Sequence, residues 1–356
     1  MTIAHINRVA TAVPQHDVHK AFIDFAANLL AEGTARNIFR RMARLSAIER
    51  RHSFVNPIPT ENGLWSDAER IYVPGDFPST ARRMQLFERF APQLAHTALD
   101  NLSLTQEERR GITHVIVTSC TGLYAPGLDF EVVHHLGLAT SVERTMIGFM
   151  GCYAAINALK SAHHIVRSEP DAKVLVLNLE LCTLHFQEIH ELEQVLSFLV
   201  FADGASASLV SAQPTGLAMD SFLAVSIPQT SQLITWRIGE LGFDMHLSGE
   251  VPGEIGRALK ESGTEITRGQ DLFSIDLWAV HPGGRSILDA VEKGLGLRAD
   301  ALACSRDVLL RYGNMSSATV MFVLQQIMER ALAGQQGCAM SFGPGLTAET
   351  MLFHAA

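Results

Sequence analysis

Short apolar, β-branched runs alternate along the chain with longer stretches in which apolar residues recur at helical spacing. This is the pattern of an α/β protein with buried strands. The runs THVIVTS (113–119), KVLVLNL (173–179), ASASLVS (205–211), DLWAV (276–280) and GCAMSF (337–342) predict strands. Two helices are predicted with comparable clarity. One, CYAAINALKSAHHIVRS, begins at Cys152; the other, NMSSATVMFVLQQIMERALAG, begins near Asn314 and ends at a glycine suited to a helix cap.

The order of these pieces repeats. HVIVTSCTG is followed about thirty residues later by GC and a helix, then by VLVLNL; LWAVHPGG is followed at a similar interval by YGNMSS and a helix, then by CAMSFG. Cys120 and Cys152 are 32 positions apart, and His281 and Asn314 are 33 apart. Such matched spacing predicts a duplicated α/β unit whose halves pack about a pseudo-twofold axis. Cys152 and Asn314 would then occupy equivalent strand-to-helix junctions, with His281 at a strand end nearby.

The 356 residues are 47% hydrophobic and 18% charged, enough apolar material for a large core, and no linker-like segment interrupts them. The net charge of -9 argues against general nucleic-acid binding. Five cysteines without C-x-x-C spacing signal neither a disulfide framework nor a zinc knuckle, so free thiols in a reducing compartment are expected. No targeting segment or membrane-spanning run is seen, and the expectation is a soluble cytoplasmic protein.

Candidate chemistry centres on three residues. Cys152 sits where a helix begins, and a helix N-terminus together with a neighbouring imidazolium would hold its sulfur as thiolate. His281 ends an apolar strand just before a Pro-Gly turn, where a side chain projects from the sheet edge. Asn314 precedes a helix. Each has a plain structural reading as well: a buried small hydrophobe, a satisfied core histidine and an N-cap. Together they form a set in which a thiolate attacks a thioester while N–H donors hold the oxyanion.

The segments GCYAAINAL, WAVHPGG, YGNMSSA and SFGPGLTAE resemble the chalcone-synthase-like type III polyketide synthases of the thiolase superfamily, from about residue 8 to the C-terminus. The resemblance implies a thiolase-like duplicated α/β unit layered α-β-α-β-α, with one half over 1–212 carrying the nucleophile and the other over 213–356 carrying His281 and Asn314. It implies that Cys152, His281 and Asn314 are catalytic, that Phe201 in FADG is a gatekeeper, and that acyl-CoA and malonyl-CoA are substrates, with no metal and no further cofactor. A second aromatic gate falls on Met245, and a position often occupied by a bulky methionine falls on Ala125. Cys120, His185, Ser316, Gly343 and Pro344 complete the expected substrate pocket. The SCTG…APG and ELCTLHFQ stretches look most like microbial alkylresorcinol and alkylpyrone synthases, which favours a fatty acyl starter. A homodimer is also implied.

RNIFRRMARLSAIERR (36–51) carries six arginines and one glutamate. It reads either as a solvated helical face or as a rim attracting coenzyme A phosphates or an acidic acyl carrier protein. By resemblance Arg41 matches a coenzyme A contact, while Ile38 and Leu45 stand where the family has lysines. His185, Glu188 and His190 lack metal-ligand spacing. Two other readings are a single-round ketoacyl-carrier-protein synthase of fatty acid initiation and a non-catalytic acyl-binding protein of the same fold.

Overall fold

The structure is a computed structural model that describes residues 2–60 and 65–356. Nine strands form one hydrogen-bonded array in the order Leu277–Val280, Gln336–Gly343, Thr347–Ala355, Leu217–Ser226, His5–Ala12, Asp203–Ser211, Val174–Leu181, His114–Ser119, Glu143–Gly148. Two sheets meet in it at a seam formed by the pairs His5↔Ala218 and Ile6↔Leu217. Moving inward on either side, one parallel pair is followed by two antiparallel pairs. The two halves therefore share one topology, and Glu143–Gly148 adds a parallel edge strand to the first.

The side-chain alternation of these strands builds the layers. Ile116, Val176, Met351 and Phe353 point inward to a core shared with Ile156 and Leu159 of the helix Ala154–Ser168 and with Val320 and Val323 of the helix Thr319–Met328. Val115, Val117, Leu175 and Leu177 face the other way, against Leu86, Leu94 and Val132 of the outer helices Thr80–Asn101 and Leu128–Leu136. In the second half Cys338, Met340 and Leu352 pack outward on Ile255, Leu288 and Leu309 of three further helices. The result is a thiolase-like α-β-α-β-α sandwich with the two predicted helices in its central layer.

Both of those helices differ at their ends from the prediction. Each is entered through a single 3₁₀ turn, Gly151–Tyr153 in one case and Ser316–Ala318 in the other. The second helix stops at Met328, well short of Gly334. There the Gln335 side chain accepts from the Leu332 N–H at 2.8 Å and the Gln335 N–H donates to the Leu332 carbonyl at 3.1 Å. A closed turn, with Gly334 at φ 86°, thus replaces the last helical turns and feeds the strand Gln336–Gly343. Among the described residues no helix is long and apolar enough to cross a membrane.

Candidate active site

The two central-layer helices point their N-terminal turns at one cavity of about 860 Å³, lined by Cys152, His281 and Asn314. Cys152 is half-buried in its 3₁₀ turn, and its thiol reaches the Ser316 hydroxyl at 3.8 Å. Gly151 makes the turn possible. Its φ is 73°, and a Cβ there would lie 2.5 Å from Pro344 Cδ. The opposite wall is tied down as well, since the Tyr153 hydroxyl donates to the Pro344 carbonyl at 3.0 Å.

Asn314 is buried, and its amide orientation is set by its neighbours. The Ser316 N–H donates to Asn314 Oδ1 at 2.9 Å, which turns Nδ2 toward the Gly283 carbonyl at 3.3 Å and toward the cavity. Capping and donation therefore coexist in one side chain. The Asn314 backbone also bridges to Phe201, with its N–H donating to the Val200 carbonyl at 2.8 Å and its carbonyl accepting from the Ala202 N–H at 2.9 Å. Phe201 is thereby held at the cavity wall.

His281 follows the strand Leu277–Val280 and anchors its N–H on the Met340 carbonyl at 2.8 Å. Its ring is 1% exposed, yet neither ring nitrogen has a protein partner. An orphaned imidazole facing a cavity is a site prepared to hold a polar group of a ligand. Burial pushes His281 down to about 3, and it pushes the Cys152 thiol up to about 11 against hydrogen bonding to Ser316 and Asn314. Both shifts favour the uncharged form of the two groups. Burial therefore works against the thiolate that the helix start favours, and a proton transfer from Cys152 to His281 has to overcome it.

Two family descriptions together match nearly the whole chain: Chalcone and stilbene synthases, N-terminal domain, over 4–214, and Chalcone and stilbene synthases, C-terminal domain, over 218–356. The chain belongs to the chalcone and stilbene synthase family. It is similar to the alpha-pyrone synthesis polyketide synthase-like Pks18 of Mycobacterium tuberculosis, at 32% identity over 99% of this chain and 91% of the relative. It is also similar to bisdemethoxycurcumin synthase of Oryza sativa, at 34% identity over 99% and 92%. Among solved structures, PKS-I of the brown alga Ectocarpus siliculosus matches with a TM-score of 0.87 at 30% identity, over 100% of this chain and 99% of the other. The chain is a type III polyketide synthase, an acyltransferase catalysing decarboxylative condensation with malonyl-CoA.

The pocket of this synthase differs in part from the one expected. Cys120, Phe201, Met245, Ser316, Gly343 and Pro344 line the cavity with the three central residues. Ala125 does not; it is exposed on the loop that precedes the helix Leu128–Leu136. His185 is fully buried outside the lining, where its ring meets the Thr121 carbonyl at 2.6 Å, accepts the Phe243 N–H at 3.1 Å and stacks on Phe243. It ties the loop at Thr121 to the hairpin strand Gly242–Leu247. Arg41 is exposed and off the cavity wall, whereas its helix neighbours Met42 and Leu45 lie on it. Arg51, at the end of the same basic run, is 1% exposed and donates to the carbonyls of Phe198 and Phe201, so it supports the wall from behind.

Two residues of the site were not anticipated. Trp236, on the strand Ile234–Gly239, lines the cavity and donates from Nε1 to the Cys120 carbonyl at 2.7 Å. Glu180 is fully buried just behind Cys120 and Cys152. It accepts from the Cys120 N–H at 2.9 Å, the Thr121 hydroxyl at 2.8 Å and the Ser317 hydroxyl at 2.6 Å. Burial pushes its carboxyl up to about 7 against those bonds. A lone carboxylate in the apolar run VLVLNLEL was the available signal.

Proposed function

We propose that this synthase loads a medium- or long-chain fatty acyl group from coenzyme A onto Cys152, extends it over several rounds and releases an alkylpyrone or alkylresorcinol. The observation that carries the starter assignment is a second, narrower cavity behind the first. It has a volume of about 80 Å³ and an apolar lining that includes Ala21, Phe22, Phe25, Val55 and Phe186. The two cavities share Cys182, Phe198 and Phe201 as walls. Arg51, Ser53, Ser66, Asp67, Tyr72 and Thr183 also border it, but most of its exposed wall is apolar, and a mainly apolar recess adjoining the reaction chamber suits an alkyl tail.

In the proposed sequence the Cys152 sulfur attacks the starter thioester while its proton passes to His281. The imidazolium then returns that proton to the departing coenzyme A thiolate. Malonyl-CoA next places its thioester oxygen against the N–H groups of His281 and Asn314. The bond to the carboxylate breaks, carbon dioxide leaves, and the electron pair becomes an enolate held by those donors. The enolate carbon attacks the acyl–Cys152 carbonyl, the carbon–sulfur bond breaks, and a ketoacyl-CoA forms that can reload. Neither a metal nor a redox cofactor enters these steps, and Phe201 contributes an apolar wall where the carboxylate departs.

A panel of acyl-CoAs of increasing length with labelled malonyl-CoA tests this reading. Long starters are expected to give cyclised products with several ketide units; a single ketoacyl product would contradict it. Ala21→Phe fills the narrow cavity and is expected to lower kcat/KM for the longest starters by about tenfold or more, leaving short ones unchanged. Equal losses across the panel would remove the tail from that cavity.

The edge strand Glu143–Gly148 exposes Met146, and Leu123, Phe130 and Met150 are exposed in the segments flanking it in space or sequence. We assign this edge to a twofold dimer contact, which light scattering at twice the 38.9 kDa chain mass would support and a monomer would refute. The five unpaired cysteines are in keeping with a cytoplasmic setting.

A further inference from the structure

We propose that the helix Thr34–Leu45 docks this synthase on an anionic lipid surface, with the mouth of the main cavity facing the lipid. The proposal builds on the fatty acyl reading above, since a membrane is where such acyl chains and the finished alkyl products partition.

The helix has two apolar faces. One holds Phe39 and Ala43, buried among Ala26, Leu30, Val195 and Phe198, and fixes the helix to the body. The other carries Ile38, Met42 and Leu45, one helical turn apart, with exposures of 41%, 44% and 46%. A soluble face would not place three large aliphatics in a row without a purpose. Met42 and Leu45 also line the cavity, together with Leu192 and Leu196. Apolar side chains therefore lead from the outside of the helix to the wall of the reaction chamber.

Charge points the same way. Arg41 is exposed beside this stripe and Arg44 one step further round the helix, and neither makes an ion pair with an acidic side chain among the described residues; Arg40 projects from the opposite side. Arg36 on the same helix differs: it donates to the Leu30 carbonyl and pairs with Glu32. Arg285 also lies at the mouth, its guanidinium 3.4 Å from the Leu45 carbonyl and paired with Asp289 at 3.5 Å. The acidic groups of the rim are Glu193 and Asp289, and Asp289 is paired with Arg306 at 2.8 Å. In a chain of net charge -9 this face is locally cationic. Aliphatics flanked by guanidinium groups match the boundary between acyl chains and phosphates, with the long arginine stems reaching outward to the headgroups.

The experiment is co-flotation of the purified protein with vesicles of phosphatidylcholine alone, or of phosphatidylcholine and phosphatidylglycerol in equal parts. The parent is expected to float with the anionic vesicles and to be released by high salt. Each arginine near such a surface contributes about fivefold to partitioning, so Arg41→Glu with Arg44→Glu is expected to weaken binding by about 25-fold or more. Ile38→Ser, which leaves the charges in place, is expected to weaken binding at low salt, where the parent is bound. Circular dichroism establishes that each variant is folded.

Failure of the parent to bind anionic vesicles, or unchanged binding by the double arginine variant, would overturn the proposal. Capture of an acidic acyl carrier protein through Arg41 and Arg44, with no vesicle binding, would overturn it in favour of carrier docking. Vesicle binding is read without substrate, so docking with no extension of long starters would instead overturn the starter assignment.

Discussion

Replacing Cys152 by alanine is expected to abolish polyketide formation, by on the order of 10,000-fold or more, while leaving decarboxylation of malonyl-CoA close to the parent rate. The two activities separate because they use different atoms. In the proposed mechanism the acyl chain is carried on the Cys152 sulfur, whereas enolate formation uses the oxyanion donors on His281 and Asn314. The removed Sγ reaches the Ser316 hydroxyl only at 3.8 Å, so little packing is lost with it. Release of labelled carbon dioxide and liquid chromatography of products measure the two arms side by side. Loss of both activities in a folded variant would mean that the sulfur also organises the malonyl site.

Asn314→Asp is expected to lower decarboxylation and product formation together, by about 100- to 1,000-fold. Aspartate preserves the oxygen that accepts the buried Ser316 N–H, so the turn before Thr319–Met328 remains intact. What disappears is the N–H donor, and a carboxylate takes its place next to a developing enolate oxygen. Asn314→Ala would additionally strand the Ser316 N–H at a cost of about 1–3 kcal/mol, which makes it the poorer test. The thermal midpoint of the aspartate variant should stay near that of the parent, and unchanged decarboxylation would show that Asn314 is only a cap.

Much of the fold was legible because its central strands are buried on both faces and read as continuous apolar runs. The strand Thr347–Ala355 escaped notice because Glu349 and Thr350 interrupt it. Glu349 is 5% exposed, and it pairs there with Lys160 and Asn157 of the central helix Ala154–Ser168 at 2.6 and 2.9 Å. A partner nearly two hundred residues away cannot be inferred from local pattern. Glu143–Gly148 was missed for the opposite reason, being an edge strand with little buried surface.

The site shows the same division. Matched spacing between the halves anticipated that Cys152 and Asn314 would share one cavity with His281. It could not anticipate side chains whose partners come from elsewhere in the chain. His185 looks like pocket chemistry in ELCTLHFQ, yet Thr121 and the hairpin residue Phe243 saturate its ring. Arg51 looks like one more exposed cation, yet its guanidinium is spent on carbonyls of the Phe198–Phe201 wall. The charge states also depended on burial, which sequence position alone does not report.

The most direct test of the account is mass analysis of the Cys152 peptide from enzyme quenched during turnover. With a fatty acyl-CoA alone, that peptide is expected to carry one acyl group as a thioester. On addition of malonyl-CoA, the same peptide should gain successive ketide units. An acyl group found on another residue, or a Cys152 adduct that never lengthens while product accumulates, would contradict it.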